Sequence, residues 1–125
     1  MTAPSHREIA VSFLKLAASG KVREAYEKYV GQNFRHHNPF FRGDRESLML
    51  AMEENAAKNP DKKQEIKLAL EDGDLVATYS HVQQNPEDGG AAVVHIFRFE
   101  KDCIVEMWDI GQAVSKDSLN ENGVF

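Results

Sequence analysis

The hydrophobic period of the chain changes once along its length, and this change limits the fold more than any single motif. Up to Asn59-Pro60 the apolar residues recur at three- and four-residue spacing, and from Ile66 onward they alternate. A period near 3.6 calls for helices, and a period of two calls for half-buried strands. Helices followed by strands exclude the alternating order of a doubly wound parallel sheet. They argue instead for an α+β fold with helices packed on one face of an antiparallel sheet.

Three helices account for the first half. Ser5 and Glu8 fit a capping box, Ile9, Phe13, Leu16 and Ala17 follow at helical spacing, and Gly20 marks the stop. Val22, Ala25, Tyr26, Tyr29 and Val30 make one face of a second helix, opposite Arg23, Glu24, Glu27 and Lys28, with Gly31 ending it. A third starts near Asp44, carries Leu48, Met49, Ala51, Met52 and Ala56, and stops before Asn59-Pro60. Between the second and third helices, residues Arg35 to Phe41 match neither period and read as a polar, aromatic-rich loop.

Three or four antiparallel strands account for the second half. Ile66, Leu68 and Leu70 alternate with Glu65, Lys67 and Ala69, and Glu71-Asp72-Gly73-Asp74 is a hairpin turn. From Leu75 to Gln83, Leu75, Ala77, Tyr79 and His81 alternate with Val76, Thr78, Ser80 and Val82. Further strands are expected from Ala92 to Glu100 and from Cys103 to Gln112. In the last, Cys103, Val105 and Met107 fall on the side of Asp109, with Ile104, Trp108 and Ile110 opposite. A sheet apolar on both faces needs two covers. The helices supply one, so a second copy of the chain is expected to supply the other, giving a homodimer through the outer sheet face.

Length and charge narrow the function. A chain of 125 residues is one domain, 1–125, by ordinary domain sizes. One cysteine excludes a disulfide scaffold. Fifteen basic against twenty acidic residues leave a net charge of −5, which repels phosphate backbones and argues against a nucleic-acid partner. No apolar run approaches the roughly 20 residues of a membrane span. The first residues lack a signal-type apolar stretch. A cytoplasmic protein with no membrane partner is the expectation.

The chemistry-bearing residues are those that break the core pattern. His81, His95, Asp109 and Gln112 interrupt strand faces that otherwise read as apolar, and Arg35-His36-His37-Asn38 forms a polar cluster among aromatics. Imidazole and carboxylate groups on apolar faces cost free energy unless paired or solvated, so these groups are expected to line one pocket. A carboxylate in an apolar cavity holds a proton more readily than one in water, which suits it to acid/base work near neutrality. Histidine, asparagine or tyrosine could then hold a carbonyl oxygen as charge develops on it. Of the adjacent His36 and His37, only one is expected to face inward. No H-E-x-x-H or C-x-x-C spacing points to a metal, and Gly89-Gly90 precedes a strand rather than a helix, unlike a phosphate loop. Asp102 beside Cys103 works against a thiolate nucleophile. A strand histidine is also often a hydrogen-bonded structural residue, so a binding module without turnover stands as the alternative.

The segments Tyr29–Pro39, Glu71–Ala77, Ala92–Phe99, Ile104–Gln112 and Asn122–Phe125 together resemble SnoaL-like proteins of the nuclear transport factor 2-like (NTF2-like) superfamily. The Trp108-Asp109 pair followed by Gln112 is the most specific part of that resemblance. It implies a cone-shaped α+β barrel, a curved antiparallel sheet wrapped around the N-terminal helices, with a pocket inside. It also implies the family's cofactor-free polyketide cyclase chemistry, with Asp109 as acid/base and His37 and Asn38 at the pocket mouth or wall. The chain departs from the family pattern at Met107, where a histidine often stands, and at His95, where an aspartate is common. The expected function is a cofactor-independent isomerase, cyclase or aldol-type enzyme on a small apolar carbonyl compound. The alternative is a non-catalytic small-molecule-binding or dimeric scaffold module of the same fold. The candidate catalytic residues are Asp109, His37, Asn38, His81 and His95. Phe34, Phe40, Tyr79, Phe97, Met107 and Gln112 are the candidate substrate contacts. No metal or cofactor is expected.

Overall fold

The first helix, α1 (His6–Ala18), opens as its sequence dictates. Ser5 accepts from the Glu8 N–H while Glu8 reaches back to Ser5, and both halves of the capping box are present. It closes at Gly20, whose φ of 91° suits glycine, with Gly20 N–H donating to Ala17 and Lys21 N–H to Leu16. The computed structural model describes residues 3–125. After α1 come α2 (Val22–Tyr29), β1 (Val30–His37), α3 (Arg45–Lys58), β2 (Lys63–Asp72), β3 (Leu75–Gln83), β4 (Ala91–Glu100) and β5 (Cys103–Ala113). Asp44 caps α3 by accepting from Ser47 N–H at 3.0 Å.

The five strands form one curved, open sheet in the order β1-β5-β4-β3-β2. The three helices and the meander are as the two periods require. The fifth strand is not. Residues 30–37, expected as the end of a helix and a polar loop, form β1 and pair parallel with β5, from Val30 opposite Ile104 to His37 opposite Trp108. The sheet is therefore mixed rather than wholly antiparallel. Beta-branched Val30 already favours extended backbone. The pairing partner lies some seventy residues away, where no local pattern shows it.

Two bulges correct the expected strand faces. On β5, Arg98 faces Glu106 and Phe99 faces Ile104, so Val105 is an extra residue. Ile104 and Met107 consequently share the inner face, each almost fully buried. Ile104 belongs to the core, not to the outer patch expected for it. On β2, Ile66 faces Ser80 and Leu68 faces Tyr79, leaving Lys67 extra. Ile66 and Ala69 turn inward, while Leu68 and Leu70 are largely exposed.

The core sits between the helices and the concave face. Phe13 of α1 packs edge-on against Tyr26 and Phe97, with ring centroids 5.5 and 6.0 Å away. Val76, Phe97, Phe99, Ile104 and Met107 supply the sheet side. Of α3 only Leu48 and Met49 are buried, because the face carrying Ala51, Met52 and Asn55 borders a cavity.

Candidate functional site

That cavity, about 220 Å³ in volume, lies between α1, α3 and the inner face of the sheet. Its walls are mostly apolar, from Phe13, Leu14, Ala17, Leu48, Met52, Val93 and Met107. The polar lining is small: Asn38, Asn55, Lys62, Gln64, His95 and Asp109.

Strand register brings the two central groups together. His95 on β4 pairs directly with Asp109 on β5 and, on its other side, with Thr78 on β3. His95 Nε2 stands 3.7 Å from Asp109 Oδ1, an ion-pair distance beyond hydrogen-bond reach. Its Nδ1 is buried without a partner, as is Thr78 Oγ1 beside it. Burial pushes the His95 imidazole below its ordinary pKa, Asp109 opposes that shift, and Lys62 adds to it. The neutral ring is therefore the favoured form.

Asn38 is set by the turn Asn38-Pro39-Phe40-Phe41. Its Oδ1 accepts from Phe40 N–H at 3.1 Å, which fixes the amide, and its Nδ2 donates to Asp109 Oδ2 at 2.9 Å. The amide thus holds the carboxylate rather than standing free to meet a substrate oxygen. His36 supports the same turn. Its buried Nδ1 accepts from Asn38 N–H, so Nε2 carries the proton and donates to the Arg42 carbonyl.

Asp109, Asn38, His95 and Met107 therefore meet at one cavity, and the remaining candidates lie elsewhere. Of the adjacent histidines, His36 is the buried one. His37 sits on the outer face, its ring stacked on Trp108 at 5.0 Å and its Nε2 donating to Glu106 at 2.7 Å. His81 and Tyr79 also face outward. His81 Nε2 bonds the Gly89 carbonyl, and the Tyr79 hydroxyl donates to the Val124 carbonyl. The reason is parity: Val76, Thr78 and Ser80 take the inner face of β3 and are almost fully buried. Phe34 and Phe97 are core residues behind the wall, Phe40 is 84% exposed at the tip of its turn, and Gln112 is exposed beyond the cavity. Sequence reasoning passed over Lys62, Asn55 and Gln64. Lys62 and Gln64 did carry a signal, since with Ile66 they alternate against exposed Lys63, Glu65 and Lys67.

On the outer face Glu106, also passed over, accepts from Arg35 Nε at 2.9 Å, His37 Nε2 at 2.7 Å and Arg98 Nε at 3.0 Å. The bonds from Arg35 first, then His37 and Arg98, bring its pKa down to about 2. Among the described residues no group of three His, Cys, Asp or Glu is arranged to hold a metal ion. No helix described is long and apolar enough to cross a membrane.

Neither a family model nor a curated protein matches the chain. Solved structures do. An NTF2-like protein of unknown function from Cytophaga hutchinsonii is 20% identical, covering 89% of this chain and 93% of its own, with a TM-score of 0.71. A SnoaL-like protein of unknown function from Burkholderia thailandensis is 14% identical over 86% and 94% of the two chains, with a TM-score of 0.72. This is the NTF2-like fold. A candidate polyketide cyclase from Acidithiobacillus ferrooxidans superposes equally, at 18% identity over 90% and 92%, with a TM-score of 0.70. At these identities the likeness concerns the fold. The sequence resemblance to SnoaL-like proteins is met at that level, and the fold does not by itself fix the chemistry of the cavity.

Proposed function

We propose that the chain is a cofactor-independent enzyme that moves a proton beside the carbonyl of a small, largely apolar compound, as an isomerase, cyclase or aldol-type catalyst. The observation that carries this reading is Asp109, a carboxylate held in position by Asn38 Nδ2 at 2.9 Å within a mostly apolar cavity. Asp109 is the base that takes the proton and the acid that returns it. His95, with a buried Nδ1 lacking any partner, is the hydrogen-bonding group that meets the carbonyl oxygen. Apolar cavities of about 150 Å³ hold benzene, so one of about 220 Å³ accommodates a substituted ring.

The test follows deuterium exchange beside the carbonyl of one- and two-ring ketones by NMR. Exchange catalysed by the chain and abolished by Asp109→Asn, with ligand affinity retained, supports the proposal. Ligands that bind without any Asp109-dependent exchange overturn it in favour of a binding module.

The same proposal includes a homodimer through the outer sheet face and a cytoplasmic location. Two cross-strand rows, Leu70-Ala77-Ile96-Trp108 and Leu68-Tyr79-Val94-Ile110, run in register across four strands and support the first. The single cysteine supports the second.

A further inference from the structure

Lys62 brings a cation into the cavity, and the proton transfer proposed at Asp109 leaves that cation unused. The turn Asn59-Pro60-Asp61-Lys62 places it: Lys62 N–H donates to the Asn59 carbonyl at 3.0 Å, and proline at the second position presets the backbone. Lys62 Nζ donates to Asn55 Oδ1 at 2.8 Å on the last turns of α3. That bond commits the oxygen of the Asn55 amide and leaves its Nδ2 as a second donor at the same wall. No carboxylate among the described residues forms an ion pair with Lys62. Burial works against its charged form, and Asp109 offsets this only in part.

A desolvated ammonium bonded to a neutral amide lacks the partner that best compensates it. A neutral carbonyl would supply an acceptor, whereas an oxygen anion supplies both acceptor and opposite charge. The remaining walls, from Phe13, Leu14, Leu48, Met52 and Val93, suit an apolar ring. We propose that the cavity takes a small ring compound bearing a carboxylate, the ring against these walls and the carboxylate on Lys62 Nζ and Asn55 Nδ2. The inference rests on the acid/base reading of Asp109 and adds the substrate class: an oxo acid, anchored at Lys62 and deprotonated beside its carbonyl at Asp109.

The experiment is calorimetric titration of the full chain with 3-phenylpropanoate and, in parallel, its primary amide. One charge-assisted hydrogen bond is worth about a factor of ten, so the carboxylate should bind about tenfold more tightly than the amide. Lys62→Met and Lys62→Gln should each erase that preference, weakening the carboxylate about tenfold more than the amide, with folding checked by circular dichroism. Asp109→Asn should keep the preference or sharpen it, since a like charge is removed. Equal binding of the two probes, binding of neither, or a preference that survives both Lys62 variants overturns the inference. Asp109-dependent exchange on neutral ketones would still stand in that case. Conversely, a Lys62-dependent preference without any exchange would overturn the acid/base reading alone.

Discussion

Asn38 has both ends of its amide committed, one to Phe40 N–H and one to Asp109. Asn38→Ala releases the carboxylate while leaving the cavity walls in place. Misplacing a reacting group costs up to about a hundredfold in rate, so kcat should fall roughly ten- to a hundredfold with KM little changed. Two other residues set the response to acid. Burial depresses the pKa of His95, so between its folded and unfolded values, the latter near 6.5, the unfolded chain binds more protons. Stability should therefore fall as pH drops below about 6.5, and His95→Gln should flatten that part of the curve. Glu106 acts lower. Its carboxylate stabilises the fold above the ordinary value of 4.5, and that contribution is lost as pH falls toward about 2. Glu106→Gln should cost about 1–3 kcal/mol at neutral pH and remove the steep acid limb, both readable in melting curves from pH 2 to 8. At this scale the sequence exposed Asp109 and His95 as polar groups amid apolar alternation, and Asn38 as part of a polar cluster among aromatics. It marked Lys62 only faintly, because its alternation with Gln64 and Ile66 is overlaid by the charge run Asp61-Lys62-Lys63, and the turn at Asn59 is what directs it inward.

Strands show where such reading stops. Alternation along β3 separated Tyr79 and His81 from Thr78 and Ser80 correctly, but which set faces the helices depends on pairing with β4, where Thr78 meets His95. Parity between neighbouring strands is not written in either one. Helix ends, by contrast, were legible, because caps such as Ser5, Gly20 and Asp44 act locally. The bulge at Val105 offers a test of parity. Val105 is the residue with no partner on β4, so deleting it leaves Ile104, Glu106 and Met107 in regular alternation, with Ile104 and Met107 still inward. That deletion should keep a cooperative melt and ligand binding. An alanine inserted between Glu106 and Met107 shifts the later side chains of the strand to the opposite face, displacing Met107 and Asp109, and should abolish binding or the cooperative melt. An insertion variant that folds and binds as the parent does would show that strand parity is not what sets the inner face.

At the scale of the molecule, the outer face decides whether one chain suffices. Leu68, Leu70 and Ile110 are each more than half exposed and stand on the two apolar cross-strand rows, an exposed apolar surface of the kind that marks an interface. Sedimentation should give a dimer at micromolar concentration, and Ile110→Glu should give a monomer or insoluble protein. A stable wild-type monomer would refute the arrangement. The position of the last residues bears on how that measurement is made. Phe125 packs on His81 and Tyr79, with its ring 4.6 Å from that of His81, and the Tyr79 hydroxyl holds the Val124 carbonyl. A purification tag fused after Phe125 would emerge beside the very patch whose self-association is being weighed, and could mask it sterically. A tag placed ahead of Ser5, where α1 begins, avoids that conflict, so comparing the two tagged forms is itself a probe of whether self-association uses the outer face.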